Sequence, residues 1–332
     1  MTKYKSFEDL PSYDELTNKA RFWEWGPPGS KEEALGKLNL LTDDHVAKSA
    51  QSEIKCGKRV GLGWEFHNLT YPLFNRVPFK LTLKNREICF DDEYYMNPQQ
   101  SSQWDGFRHF SQPDNYAQNV PYVRDPSNCK WLGGTTADDI TNSDRLSIHY
   151  WAQQGIVGRG ILVDYASWAA DQGINYSCFS DYAISLGQIK QVIDYYHIDT
   201  KPGDILFIRI GFVDQWVSLT DDERASNQLR SSTGGRHAGV EQSEDLLRWL
   251  WDSHFCAVVS DTLAFENYPP KGDIVLHSYL LAGWGVPIGE LFNLGPLAAL
   301  CKKLNRYSFF VSSVPFNAVG GVSSPPNAVA IF

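Results

Sequence analysis

Several common chemistries are missing from this sequence. No uninterrupted apolar run is long enough to span a bilayer, so no membrane partner is expected. No basic cluster follows the chain; with a net charge of -9, a nucleic-acid role has no electrostatic footprint. The six cysteines, Cys56, Cys89, Cys129, Cys178, Cys256 and Cys301, include no C-x-x-C pair, which excludes a zinc ribbon or a dithiol redox centre. Reduced, buried thiols are the expectation instead. There is no G-x-S-x-G serine elbow and no H-E-x-x-H zinc helix. Gly155 to Gly160 is glycine-rich, but its order is G-x-x-G-x-G before a strand, whereas a dinucleotide site needs G-x-G-x-x-G after one. Met1–Asp9 turns acidic without an apolar core, and Asn327–Phe332 is neither a retention nor a peroxisomal address. The default expectation is therefore a cytoplasmic protein.

What is present is globular. Hydrophobic residues make up 42% and charged ones 21% of the 332 residues, enough for one large core or two modest ones. Serine at position 30, with an acid three residues on, reads as a capping box. Thr42 or Asp43 caps a helix through Ala50. Gly160–Tyr165, Ile205–Phe212, Ala257–Asp261 and Phe309–Val314 read as strands, the first and third ending in acids. Ser185–Tyr196, Ser243–Trp251 and the stretch from Leu276 read as helices. The pattern is α/β, with a central β-sheet core flanked by helices. Residues 1–70 are expected to wrap as an N-terminal extension on a single catalytic unit, 71–332.

Two segments carry candidate chemistry. The first, Gln99–Phe110, reads as a polar loop-like stretch and holds Asp105 and His109 four residues apart. That pair also fits a surface turn whose acid caps a backbone amide. Against this, the segment is crowded with amides and hydroxyls that apolar packing cannot use, and Trp104, Phe107 and Phe110 could shield a site from water. The second runs from Leu276 to Leu294. His277 alone fits a satisfied core histidine, but Glu290, between Gly289 and Leu291, is a lone carboxylate in an apolar run and costly to bury without a partner. His237 either lines a pocket, where it could donate to a substrate carbonyl, or sits exposed beside Gly234-Gly235-Arg236. Gln112–Lys130 and Val213–Trp216 are candidate pocket loops.

Gln99–His109 resembles a worn copy of the motif H-x-G-T-H-x-D-x-P-x-H of the cyclase family that includes bacterial kynurenine formamidases and isatin hydrolases. Gln99 and Gln103 stand at the first two histidines, Ser101-Ser102 at Gly-Thr and Phe107 at the proline; Asp105 and His109 are retained. His277, two leucines and Glu290 before Asn293-Leu294 resemble the family's late motif. Trp25-Gly26 with Gly36–Thr42, Gly155–Asp164, Pro202–Arg209 and His237–Glu244 are similar to its other signatures in order and spacing. The resemblance implies a homodimer or homotetramer and a hydrolase acting on a small molecule. It implies Asp105, His109, His277 and Glu290 as catalytic residues, and Gln99, Trp104, Phe107 and His237 as contacts for a substrate that aromatic lining makes aromatic. The metal set would be Gln103, Asp105, His109, His277 and Glu290. Glutamine carbonyls are poor zinc ligands, so one Mn²⁺ or Zn²⁺ is expected rather than two ions. Without metal, the same acids and imidazoles would form acid/base pairs for ring closure or dehydration. A catalytically inactive relative that binds a small aromatic ligand is the third reading.

Overall fold

The computed structural model describes residues 4–69, 74, 76–114, 116, 126–232 and 235–332. Its frame is a nine-stranded sheet. Four central strands run parallel: Ile156–Asp164, Ile205–Arg209, Ala257–Ser260 and Ile288–Glu290. Strands covered on both faces read as continuous apolar runs rather than alternating ones, and Ile161-Leu162-Val163, Ile205–Ile208 and Ala257-Val258-Val259 are all buried. Helices fill the crossovers: Tyr165–Asp171 and Leu186–Tyr195, then Phe212–Ser218, Asp221–Ser232 and Glu244–Asp252. The last crossover is a seven-residue π-helix, Ser278–Trp284, where ordinary helix was expected. On one side of the parallel core, Ser308–Ser313, Ala328–Ile331 and Arg59–Gly61 add antiparallel strands. On the other lie Gln103–Asp105 and Ser323–Ser324.

Local signals set most helix starts. Glu33 N–H donates to Ser30 Oγ at 3.1 Å. His45 N–H donates to Thr42 Oγ1 at 3.3 Å, opening a helix that continues to Glu53. Ser185 and Gln188 form a reciprocal capping box. The two strand-ending acids act as ties. Asp164 Oδ1 accepts from Arg209 at 2.7 Å and caps the helix after its own strand. Asp261 accepts from the backbone of Ile210 and Gly211 at 2.6 and 2.8 Å. Val213–Trp216, expected as a pocket loop, is part of a helix, and Gln215 there accepts from Cys178 N–H at 2.8 Å.

The early segment docks on the π-helix. Phe22 N–H donates to Gly283 O at 2.7 Å, and the Trp23 and Trp25 indoles donate to Ala282 O and Trp284 O, each at 2.8 Å. Gly283 is required there, because a Cβ would lie 1.9 Å from Ala20 O. Three cysteines, Cys178, Cys256 and Cys301, are buried as expected. Cys56 and Cys89 are exposed, the latter because it lies on a hairpin that stands clear of the core. No helix among the described residues is long and apolar enough to cross a membrane.

Candidate functional site

Gln99–Phe110 is not wholly loop. Its centre, Gln103–Asp105, is a fully buried strand pairing antiparallel with Ile288–Glu290, in the register Ile288↔Asp105, Gly289↔Trp104, Glu290↔Gln103. Three polar-flanked residues carry too little pattern to read as a strand; tertiary pairing decides it. The register puts Gln103 opposite Glu290, and Gln103 Nε2 donates to Glu290 Oε2 at 2.7 Å. Asp105 lies on the same face, two residues on. Trp104 faces the other way: its indole donates to Ser313 Oγ at 2.9 Å and its ring packs edge-on to Phe292. Phe107 packs edge-on to Trp151 at 4.9 Å in the core. Two of the four expected substrate contacts, Trp104 and Phe107, therefore pack in the core. The aromatic neighbour of the site is Phe110, whose ring centre lies 5.2 Å from that of His277 and 6.1 Å from that of His109.

The turn after the strand, closed by His109 N–H to Gly106 O at 2.9 Å, swings His109 back over Asp105. Gln99 bridges them: its Nε2 donates to Asp105 Oδ1 at 2.9 Å and lies 2.7 Å from His109 Nδ1. His277 arrives from the residue before the π-helix, a helix type often found at functional sites. His277 Nε2 donates to Glu290 Oε1 at 3.0 Å and sits 3.7 Å from Asp105 Oδ2. Leu291, directly after Glu290, is held at a φ of 52°, a strained conformation for a branched side chain.

Sequence reasoning missed Glu266. Its Oε2 accepts from His277 Nδ1 at 2.8 Å and its Oε1 from His277 N–H at 3.2 Å. It sits between Phe265 and Asn267, shortly before Pro269-Pro270, in a mixed stretch that gives no local signal for a site residue. Gly239 makes room for it, since a Cβ there would lie 2.2 Å from the Glu266 carbonyl carbon. Arg76 was also missed; its guanidinium donates to Gln99 O at 3.0 Å. His237 is buried rather than exposed, stacked on Tyr268 at 5.7 Å; Gly234 beside it lies outside the described residues. So do 115 and 117–125 of the expected pocket loop Gln112–Lys130. Gln112 itself is buried and bonds Arg21.

The charges are tightly coupled. Burial alone would raise the Asp105 pKa, but the nearby His109 and His277 outweigh it and hold Asp105 down to about 2. Burial disfavours protonated His277, yet Glu266, Asp105 and Glu290 together raise its pKa well above the usual histidine range. Glu290 is pushed up to about 7, by burial first and then by Asp105, against His277 and Arg76. Burial pushes His237 down to about 4, leaving it neutral.

Asp105 Oδ2 is buried with no hydrogen-bond partner among the described residues, although it faces His109 Nε2 at 3.6 Å and His277 Nε2 at 3.7 Å. One donor atom from each of these three residues falls within 4.8 Å of the others. A carboxylate oxygen and two imidazole nitrogens at such spacing fit a single divalent ion. Gln103 Oε1 is also buried without a partner, but its amide nitrogen is turned to Glu290. A separate cavity of about 660 Å³ opens between Gly63–Phe66 and Pro325–Val329; among its lining residues Ser102 adjoins the Gln103–Asp105 strand.

A family model described as "Putative cyclase" matches residues 62–267, a span that takes in Gln99–His109 and Glu266 and stops short of His277. No curated protein sequence matches the chain. Among solved structures, one described as a novel cyclase is 25% identical, with a TM-score of 0.77 over 95% of this chain and 99% of its own. Isatin hydrolase A from Labrenzia aggregata bound to benzyl benzoate is 13% identical, with a TM-score of 0.53 over 87% of this chain and 97% of its own. Isatin hydrolase A from Ralstonia solanacearum is 11% identical, with a TM-score of 0.51 over 82% and 91%. The two hydrolases share the fold.

Proposed function

Because the chain belongs to the putative cyclase family, we propose that it is a metal-assisted hydrolase. It opens or closes a cyclic amide, lactone or aryl-formamide bond in a small aromatic molecule. The observation that carries this reading is the orphaned Asp105 Oδ2, buried between two imidazole nitrogens. Asp105, His109 and His277 would hold one Mn²⁺ or Zn²⁺, with Glu290 and the Gln103 carbonyl beside them. An ion held there would supply Lewis acidity, polarising a carbonyl and acidifying water.

The protein's own groups do the rest. Glu266 accepts a hydrogen bond from His277 Nδ1–H and so fixes which ring nitrogen faces the site, the arrangement common behind metal-bound histidines. Gln99 occupies Asp105 Oδ1, leaving Oδ2 for the ligand. Glu290 Oε1, within 3.0 Å of His277 Nε2, is the oxygen placed to hold or pass on a proton during bond cleavage. Phe110 covers the histidines and limits water. One observation favours a second reading, a metal-free cyclase or dehydratase: His277 already bonds two carboxylates, and His109 faces Asp105, so two acid/base pairs exist without an ion.

The test is a panel of cyclic amides, lactones and aryl-formamides, isatin among them, offered to metal-loaded protein. Asp105→Ala and His277→Ala should each abolish turnover while circular dichroism stays native. Near-wild-type activity in both would end the proposal. Full activity in chelator-stripped protein would select the metal-free reading.

A further inference from the structure

Sheltering a guanidinium from water is costly unless its N–H groups find acceptors. Other arginines of the chain meet that demand. Arg145 meets Glu33 at 2.6 Å, Arg159 meets Glu53 and Asp204 at 2.9 and 2.7 Å, and Arg209 meets Asp164 and Asp214 at 2.7 and 2.6 Å. Arg108 gives its N–H groups to the carbonyls of Arg145, Gly320 and Ser143. Arg76 departs from this pattern. It is half-buried, yet among the described residues it makes one hydrogen bond, from Nη1 to Gln99 O at 3.0 Å, and no ion pair. The rest of its planar fork is uncommitted.

The place of that fork gives it a use. The Gln99 carbonyl that anchors Arg76 belongs to the residue whose side chain holds Asp105 Oδ1. Burial lowers the Arg76 pKa, and Asp105 and Glu290 are the acids near enough to pull it back up. Neither acid is available to pair with it. Asp105 is bonded by Gln99 and faces the two imidazoles, and Glu290 is bonded by Gln103 and His277. The guanidinium lies over the Phe74 ring, 5.1 Å from its centre, and Phe74 is 53% exposed. A cation and an open aromatic ring therefore stand side by side at the edge of the site.

Building on the site proposed at Asp105, His109 and His277, we propose that Arg76 is a specificity-determining residue. The substrate is an aromatic carboxylate: its anionic group docks on the uncommitted edge of Arg76 and its ring lies against Phe74. The fork of an arginine matches a carboxylate with two parallel N–H···O bonds, and partial burial strengthens them relative to water. A neutral ring leaves the same N–H groups unmet, so the contact selects by charge as well as by shape.

Calorimetric titration of anthranilate and its neutral analogue 2-aminobenzamide into wild type, Arg76→Gln and Arg76→Lys tests this. Wild type should bind anthranilate about tenfold or more tighter than the amide. Arg76→Gln, which still offers Gln99 O a donor, should lose that preference while its affinity for the amide stays unchanged. Arg76→Lys should keep part of it. Equal affinities in wild type would overturn the proposal. So would an Arg76→Gln variant that keeps the preference, or one that weakens both ligands alike, since Arg76 would then only brace Gln99. A turnover arm uses 2-formamidobenzoate and formanilide, which release the same formate and differ only in the carboxylate the substrate itself brings. In Arg76→Gln, KM for the first should rise about tenfold or more with kcat and both constants for formanilide unchanged; an unchanged KM would overturn the proposal. Hydrolysis of neither compound bears on the hydrolase reading alone, and the titration still decides the role of Arg76.

Discussion

Truncating Glu266 to alanine tests how far the site depends on a residue that sequence reasoning overlooked. His277 is only 7% exposed, so water cannot readily replace the lost acceptor of its Nδ1–H. An unpaired buried donor costs about 1–3 kcal/mol. If that cost falls on the ligand-ready orientation of His277, metal affinity drops roughly 5- to 150-fold, at about 1.4 kcal/mol per tenfold. Loss of such a supporting partner behind a histidine ligand generally costs about 10- to 100-fold. Glu266→Gln keeps one acceptor oxygen and should lose less. Calorimetric titration of Mn²⁺ or Zn²⁺ into chelator-stripped wild type and both variants reads this directly. Refutation would be two folded variants that bind the ion as tightly as wild type, since the Glu266–His277 bond would then have no bearing on the ligand set.

Other substitutions probe neighbouring parts of the account. Lys37 is buried with Nζ 4.8 Å from the Trp251 ring, and burial pulls its pKa from 10.5 down to about 8. The unfolded chain then binds this proton more tightly, so the penalty is full below pH 8 and fades as pH rises to 10.5. Lys37→Met should raise Tm by a few degrees at pH 7, about 3 kcal/mol before the lost ring contact is subtracted, and the gain should fade as pH rises from 8 to 10.5; a pH-independent difference would contradict the assignment. Gly239→Ala forces a Cβ into the Glu266 backbone and should lower stability by about 1–3 kcal/mol together with metal affinity, both read on one preparation by thermal melts and titration. Phe107→Ala should cost about 3–5 kcal/mol of stability and leave the KM of any substrate found by the panel unchanged; a raised KM at native stability would restore it as a substrate contact.

The parallel core was legible because strands buried on both faces are written as apolar runs; Ile205–Arg209 and Ala257–Ser260 lie within the expected spans. Caps such as Ser30 and Thr42 announced helix starts because their side chains bond the backbone locally. The Gln103–Asp105 strand was not legible, since three residues carry no period and its partner lies about 185 residues away in sequence. Asp105, His109, His277 and Glu290 could be named from motif resemblance, and the fold brings all four together. Glu266 could not, because nothing local marks an acid whose partner is eleven residues downstream beyond a turn. Trp104 shows the opposite case: proximity in sequence to a reactive pair says little when strand alternation turns the next residue to the other face, and Phe107, past the strand's end, packs on Trp151 instead.

Elemental mass spectrometry on protein purified without chelator or added metal salt tests the central claim most directly. The account predicts near one equivalent of manganese or zinc per chain in the wild type, lost in folded Asp105→Ala and His277→Ala. A folded, metal-free wild type that still turns over a ring or formamide substrate would contradict it.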